Sequence, residues 1–451
     1  MGYVALGCPK ALVDSERLLG RLLAAGYATA PSHEEADVVV INTCGFIEAA
    51  REESLEAIEE ALAANGRVVV TGCLGAEAEA LRRRYPQLLA VTGPAQEEAV
   101  LGALARHLPA PGASAGHGPA GRALLTPRHY AYLKVAEGCR HRCTFCIIPR
   151  LRGPQRSRPL PELLAEARAL AAAGVRELLV VAQDTGAYGT DLRPRTAFVE
   201  GRPVRAELRA LVRELARLGL WVRLHYLYPY AHLDALVEDM VPDWGPEGGG
   251  LLPYLDLPLQ HASAPILRAM RRPAAAERVL ERLAAWRRAR PELVVRSTFI
   301  VGFPGETEAH FEELLAFLRE ARLERVGCFT YSPVEGAAAN ALPGAVPEPV
   351  KEERRARLMA LQAELSARRL QGLVGRRLRV LVDAVEEGRA LGRTAGDAPE
   401  VDGVVRIQAG EGPLPAPGEL VEVEVTGAEA HDLEARIPPR AGPAAAQGGA
   451  P

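Results

Sequence analysis

Three apolar runs near the start of the chain each end at a cysteine, and this limits the possible fold more than any other feature. Tyr3–Cys8, Asp37–Cys44 and Arg67–Cys73 read as strands, with a weaker fourth at Leu88–Thr92; helical patterns at Leu12–Ala25 and Ile47–Ala64 lie between them. Continuous β-branched runs alternating with helices predict a parallel sheet covered on both faces. In such a sheet the carboxyl ends of the strands share one edge, where ligands bind. Cys8, Cys44 and Cys73 would be gathered there from distant positions. Each adjoins a glycine (Gly7, Gly45, Gly72), which lets the backbone pass close to a bulky object. The plainer alternative is three buried thiols acting as small hydrophobes. Their recurrence at equivalent strand ends favours a three-thiolate cluster site with one iron left open.

A second trio is local. Cys139, Cys143 and Cys146 are spaced C-x3-C-x2-C on one short loop. Iron–sulfur clusters are usually held by four thiolates, so three leave one iron free to bind a small molecule. A structural zinc site with His141 as fourth ligand is the alternative. Zinc sites more often use C-x2-C pairs set far apart, and His141, inside the first gap, reads as a surface residue.

The seventh cysteine, Cys328, sits mid-strand and reads as structural. Seven cysteines, without a basic segment ahead of an apolar start, argue against a secreted disulfide framework and for a reducing, cytoplasmic setting. No apolar run approaches membrane-spanning length. A net charge of −3 gives no general pull toward nucleic acid or anionic membrane.

Residues 109–122, rich in Pro, Gly and Ala, read as a linker. After it, strand Tyr130–Val135 runs into the C-x3-C-x2-C loop. Further strands are expected at Glu177–Ala182, Trp221–Tyr226, Tyr254–Leu257, Val294–Val301 and Arg325–Tyr331. Helices at Pro161–Ala173, Ala206–Leu218 and Glu308–Arg322 separate some of them. Six such units predict an incomplete barrel, with functional groups where strands end. Gln183, Asp184, Tyr226, Tyr228, Gln260, His261 and Gly302–Thr307 occupy those ends, although Asp184 and Thr307 also suit helix caps. Phe145 either packs on an adenine or enters the core. Of the four arginines in Pro149–Arg158, one or two are candidate carboxylate clamps. A charged helix within Pro347–Gln371, with Leu358, Leu361 and Leu365 on one stripe, leads to a glycine-punctuated β segment, Leu373–Ile437. Its strands, at Leu378–Val382, Gly388–Thr394, Gly403–Ile407 and Leu420–Thr426, suit a small OB-like barrel. Pro438–Pro451 reads as a disordered tail.

Together these features resemble the radical S-adenosylmethionine (SAM) methylthiotransferases, and within them the branch that acts on a ribosomal protein. The resemblance rests on Gly7-Cys8-Pro9-Lys10 with Val13-Asp14-Ser15-Glu16, Asn42–Ile47, Gln183-Asp184-Thr185, Pro258-Leu259-Gln260-His261, Gly302–Thr307 and Asp397–Gly403. Ala11 stands where the family usually has Asn, and the first strand begins almost at Met1; neither departure removes a cysteine of the pattern. The fold implied is α/β: an amino-terminal parallel α/β domain (1–108, auxiliary cluster), a linker (109–122), a partial (βα)6 radical SAM barrel (123–350), a connecting helix (351–372), a TRAM barrel (373–438) and a tail (439–451).

The resemblance also implies two [4Fe–4S] clusters, one on Cys8, Cys44 and Cys73 and the SAM-cleaving one on Cys139, Cys143 and Cys146. Phe145, Gln183, Glu306 and Arg296 are the candidate SAM contacts. The activity implied is methylthiolation of the β-carbon of an aspartate in small-subunit ribosomal protein uS12, fed by an electron donor such as flavodoxin or ferredoxin. Methylthiolation of tRNA adenosine, and a non-enzymatic iron–sulfur carrier or scaffold, are the alternatives. One observation outside the resemblance bears on substrate. Leu373–Ile437 carries seven arginines, no lysine and thirteen Asp plus Glu, a net charge of −6. Such a module would repel phosphates and attract a basic protein, so neither a direct nucleic-acid substrate nor a membrane is expected.

Overall fold

Val38 and Val40 pack to one side of a sheet, Val39 and Ile41 to the other, and all four are buried. This two-sided burial is what the unbroken β-branched run requires. In the computed structural model, which describes all residues except 110–111, 113–117, 242–248, 274–275, 410–412 and 439–451, the sheet is parallel and ordered β1-β2-β3-β4. Its strands are β1 (Gly2–Ala5), β2 (Val39–Thr43), β3 (Val68–Gly72) and β4 (Ala90–Val91), and its helices α1 (Pro9–Ala24), α2 (Glu48–Ala64), α3 (Ala78–Arg84) and α4 (Glu97–His107). Leu18, Leu19, Leu22, Val100 and Leu104 cover one face; Ile58, Ala61, Leu81 and Tyr85 cover the other.

The second sheet is a six-stranded parallel arc in the order β14-β13-β12-β11-β8-β5. The chain enters it at β5 (Tyr130–Lys134). A short ribbon of β6 (Ala136–Glu137) and β7 (Arg156–Ser157) then brackets the cysteine loop and α5 (Ile148–Arg152). The arc continues through α6 (Leu160–Ala172), β8 (Glu177–Val181), α7 (Leu208–Ala216), β11 (Trp221–Leu224), α8 (Leu233–Asp239), β12 (Gly250–Asp256), α9 (Ala264–Ala269), α10 (Ala276–Ala289), β13 (Val294–Val301), α11 (Glu308–Ala321) and β14 (Arg325–Thr330). An antiparallel hairpin of β9 (Thr196–Val199) and β10 (Arg202–Arg205) interrupts it, unforeseen from sequence.

Met1–Met359 form one compact unit holding both sheets, and Ala360 onward forms a second. The expected linker is therefore not a plain spacer. Its central residues lie outside the described ones, but its last, Arg122, is only 1% exposed. Arg122 pairs with Glu16 of α1 and, at 2.6 Å, with Glu166 of α6, and donates to the Tyr132 carbonyl at 2.9 Å.

The long helix α12 (Glu348–Gln371) spans the division between the two units. In its first half Leu358 is buried as expected, but Lys351 and Arg354 take the neighbouring buried positions, while Leu361 and Leu365 are only half-buried. The second unit is a closed barrel, β15-β16-β17-β19-β18, built from β15 (Arg377–Glu386), β16 (Arg389–Arg393), β17 (Val405–Gln408), β18 (Leu420–Ala428) and β19 (Leu433–Arg436). Val380, Val382, Ala390, Val405, Ile407, Val423, Val425, Leu433 and Ala435 fill it. Closure depends on β19, a four-residue strand not expected from sequence, which pairs parallel to β17 and antiparallel to β18. The expected tail lies outside the described residues.

Candidate active site

Cys44 and Cys73 directly follow β2 and β3, and Cys8 lies in the turn where β1 enters α1. The register pairs Ala5 with Asn42 and Thr43 with Gly72, so the three turns open at one edge. Gly7 has φ +102°, and a Cβ there would lie 3.1 Å from the Cys44 Cβ and 3.4 Å from its Sγ. Only a residue without a side chain brings the β1–α1 turn that close. Ser54 of α2 fixes the Cys44 backbone from behind: its hydroxyl donates to the Cys44 carbonyl at 2.8 Å and accepts from the Cys44 N–H at 2.9 Å.

The three thiols feel one another. Burial raises the Cys73 thiol to about 11, with Arg152 pulling against it and the neighbouring Cys44 and Cys8 adding to it. Burial also raises Cys44, helped by Cys8. Burial acts the same way on Cys8, but there Lys10, the Ala11 amide and Arg152 outweigh it and bring the thiol below its ordinary value.

The second trio sits on the loop after β6. Its backbone is pinned by Cys139 N–H to the Gly153 carbonyl (3.1 Å), Thr144 N–H to the Met270 carbonyl (3.2 Å) and Ala339 N–H to the Thr144 carbonyl (2.8 Å). Burial raises Cys146 to about 12, Cys143 and Cys139 adding to it, and raises Cys139 as well. Gly138 has φ +70°, and a Cβ there would lie 2.3 Å from the Pro154 carbonyl oxygen. We expect Gly138→Ala to cost roughly 1–3 kcal/mol in strain alone, read as a lower thermal midpoint, because the opposing atom is backbone and cannot swing away.

One side chain ties the first trio to the strand that leads into the second. Arg152, at the end of α5, directs its Nε to Cys73 Sγ (3.2 Å) and its Nη1 to Asp14 of α1 (3.0 Å) and Glu137 of β6 (2.9 Å). Lys134 bonds the same two carboxylates, at 2.6 Å for Glu137. Ile147, the residue after Cys146, packs with Cys73, Leu151, Val334 and Ala337. The amino-terminal sheet therefore turns its cysteine edge toward the barrel's cysteine loop.

Thiols in two groups of three are the donor type that holds iron–sulfur clusters. All seven cysteines are free thiols, and among the described residues no three His, Cys, Asp or Glu side chains are placed to hold one metal ion. His141 is not the plain surface residue expected, nor free to serve as a zinc ligand through Nε2. That nitrogen lies 2.8 Å from Asp184 and 3.0 Å from the Tyr230 hydroxyl, and the ring stacks on Tyr228 at 4.0 Å. Asp184 is accordingly a partner of His141 and Tyr230 and makes no side-chain helix cap.

Residues 133–318 match the radical SAM superfamily, 1–93 the uncharacterized protein family UPF0004 and 374–437 the TRAM domain. A ribosomal protein uS12 methylthiotransferase RimO from Azoarcus sp. (strain BH72) is 56% identical over 441 residues, 96% of this chain and 97% of that protein. One from Alkalilimnicola ehrlichii is 57% identical over 439 residues, 97% of each. The chain belongs to the ribosomal protein uS12 methylthiotransferase RimO family. Among solved structures, the radical SAM methyltransferase TsrM from Kitasatospora setae aligns at TM-score 0.48 and 14% identity, covering 74% of this chain and 77% of that one. As a RimO family member the chain is a radical SAM enzyme, and its class implies a [4Fe–4S] cluster and SAM. The non-enzymatic carrier reading falls with that assignment. Among the described residues no helix is long and apolar enough to cross a membrane.

Within the RimO frame the four candidate SAM contacts stand differently. Gln183 donates to Glu137 at 3.2 Å, and its buried carbonyl oxygen has no partner among the described residues, as suits a side chain facing a ligand site. Phe145 is half-buried against Ile266, Met270, Phe303 and Tyr331. Arg296 faces Asp256 at 3.4 Å, and Asp256 also meets His225. Glu306 also anchors its loop. Its carboxylate accepts from Gly302 N–H (3.0 Å) and Arg354 (2.8 Å), and one oxygen lies 3.3 Å from His261. Tyr226 and Gln260, at the ends of β11 and β12, have φ of +58° and +73°. Strained backbone of this kind clusters at functional sites.

Proposed function

We propose that the chain methylthiolates the β-carbon of an aspartate in small-subunit ribosomal protein uS12. In this reading Cys139, Cys143 and Cys146 hold the SAM-binding cluster, and Cys8, Cys44 and Cys73 hold a second [4Fe–4S] cluster. An aspartate β-carbon offers no leaving group and no readily removed proton, so side-chain acids and bases alone have no grip on it. When bound, the clusters and SAM supply the one-electron and sulfur chemistry that the side chains lack. The chain's own residues position and enclose. Arg152 and Lys134 draw the two cysteine edges together through Asp14 and Glu137, and Gln183 presents an unpaired oxygen beside Glu137.

The observation that carries this reading is Arg152 bonding Cys73 of one trio while resting on Glu137, two residues before Cys139 of the other. A protein substrate is supported by the second unit. Five of the seven arginines in Leu373–Ile437 are already ion-paired, with Glu422, Glu434, Asp383, Asp432 and Glu424, which leaves little free positive charge for phosphates. The tRNA alternative is thereby disfavoured. A cytoplasmic setting and a flavodoxin- or ferredoxin-type donor accord with the free thiols. The intact mass of uS12 from a strain lacking this gene should fall by one methylthio substitution. An unchanged uS12 mass with an altered tRNA nucleoside profile would instead select the alternative.

A further inference from the structure

Lys10 has no carboxylate partner among the described residues; the group its charge acts on is the Cys8 thiol. It stands two residues after Cys8, in the first turn of α1, and is only partly exposed. Its natural partner on a helix is the acid four residues on, Asp14. Both Asp14 oxygens are taken, Oδ1 by Lys134 and Oδ2 by Arg152. Glu137 is taken by the same two cations. Among the described residues Lys10 makes no ion pair. Its Nζ rests 3.3 Å from the centroid of the Tyr226 ring, at the mouth of the barrel. An aromatic face holds an ammonium in place without neutralising it. Withdrawing such a charge from water is unfavourable unless an anion joins it.

The nearby cations Arg152 and Lys134 are thus paired with carboxylates of the protein, whereas Lys10 meets none among the described residues. We propose that Lys10 receives the side-chain carboxylate of the substrate aspartate and so selects aspartate over its amide. The inference rests on the methylthiolation reading above. In aspartate the β-carbon is bonded directly to the carboxylate carbon, so fixing the carboxylate fixes the carbon that is to be modified. Because Lys10 shares a turn with Cys8, the same contact brings that carbon to the edge where the amino-terminal cysteines lie. Asparagine has the same shape, but presents a neutral amide to the ammonium and forfeits a charge-assisted bond.

The test uses the full chain, reconstituted anaerobically with iron and sulfide, and purified unmodified uS12 beside its Asp→Asn variant at the modified position. Competition binding gives the preference. The wild-type chain should favour aspartate by roughly 10–100-fold, the worth of one hydrogen bond to a charged group. Lys10→Arg should keep most of that preference. Lys10→Met should bring it to within about twofold, with iron content unchanged. A preference that survives in Lys10→Met overturns the proposal. So does a loss of iron in Lys10→Met without a change in preference, which would make Lys10 a counter-charge for the thiolates. A wild-type chain that does not discriminate also overturns it, while leaving the uS12 mass result, and hence the methylthiolation reading, intact.

Discussion

Replacing Cys8, Cys44 and Cys73 together by alanine is expected to lower the iron of anaerobically reconstituted protein from about eight to about four per chain, and to abolish methylthio transfer to uS12. The matching Cys139, Cys143 and Cys146 triple should also retain about four irons. The expectation follows from how the thiols are built in. Cys44 and Cys73 are buried, and burial raises both. They are poor anions on their own account and need a metal to become thiolates. Ser54 and the β1–α1 turn hold the backbone of the trio through bonds that do not involve the thiols, so the alanine changes empty the site without dismantling the sheet. Iron and sulfide analysis checks the result. Eight irons persisting in the Cys8, Cys44 and Cys73 triple would remove the second cluster site from the account.

Arg122→Met should produce the largest loss of stability, about 3–5 kcal/mol, read by chemical denaturation. The arginine is buried with Glu16 and Glu166, and its removal leaves two carboxylates in the interior short of a partner. The methionine fills most of the volume, so the effect belongs to charge and not to a cavity. The same site sets a pH response. Burial alone would raise Glu166, but Arg17, Arg158 and Arg122 bring it down to about 2, against an ordinary value of 4.5. A carboxyl whose folded value is depressed contributes stability that is complete above its unfolded value and is lost as pH falls through the folded one. The wild type should therefore weaken between pH 4.5 and about 2, and the Glu166→Gln variant should weaken less over that range.

Both sheets could be read from the sequence because their strands are apolar runs bounded by helical periodicity. All five residues of β2, β3, β5 and β8 are buried, as such runs require. The hairpin β9–β10 escaped because seven of its eight residues face solvent wholly or in part, and Arg202, Pro203 and Arg205 disguise it as loop. β19 escaped because Leu433–Arg436 is too short to show a period. The cysteines were legible because both trios follow recognisable local patterns. The side chains that connect them were not. Arg152 and Asp14 lie 138 positions apart, and nothing in either neighbourhood announces the other. A faint signal did exist: Asp14, Ser15 and Glu16 interrupt the apolar face of α1, and all three prove to be buried. Charged residues on a packing face need partners elsewhere, and here those are Lys134, Arg152 and Arg122.

The strand that opens the arc, β5, has no strand paired on its outer side among the described residues. Instead α1 lies against it, Val13 packing with Tyr130, Tyr132, Leu179 and Val181. The first helix of the chain thus does for the arc what a further strand would do in a complete ring. A fragment cut to the arc alone would lose the α1 cover over Tyr130 and Tyr132 and the Arg122 bond to the Tyr132 carbonyl, and self-association through that margin is its expected fate.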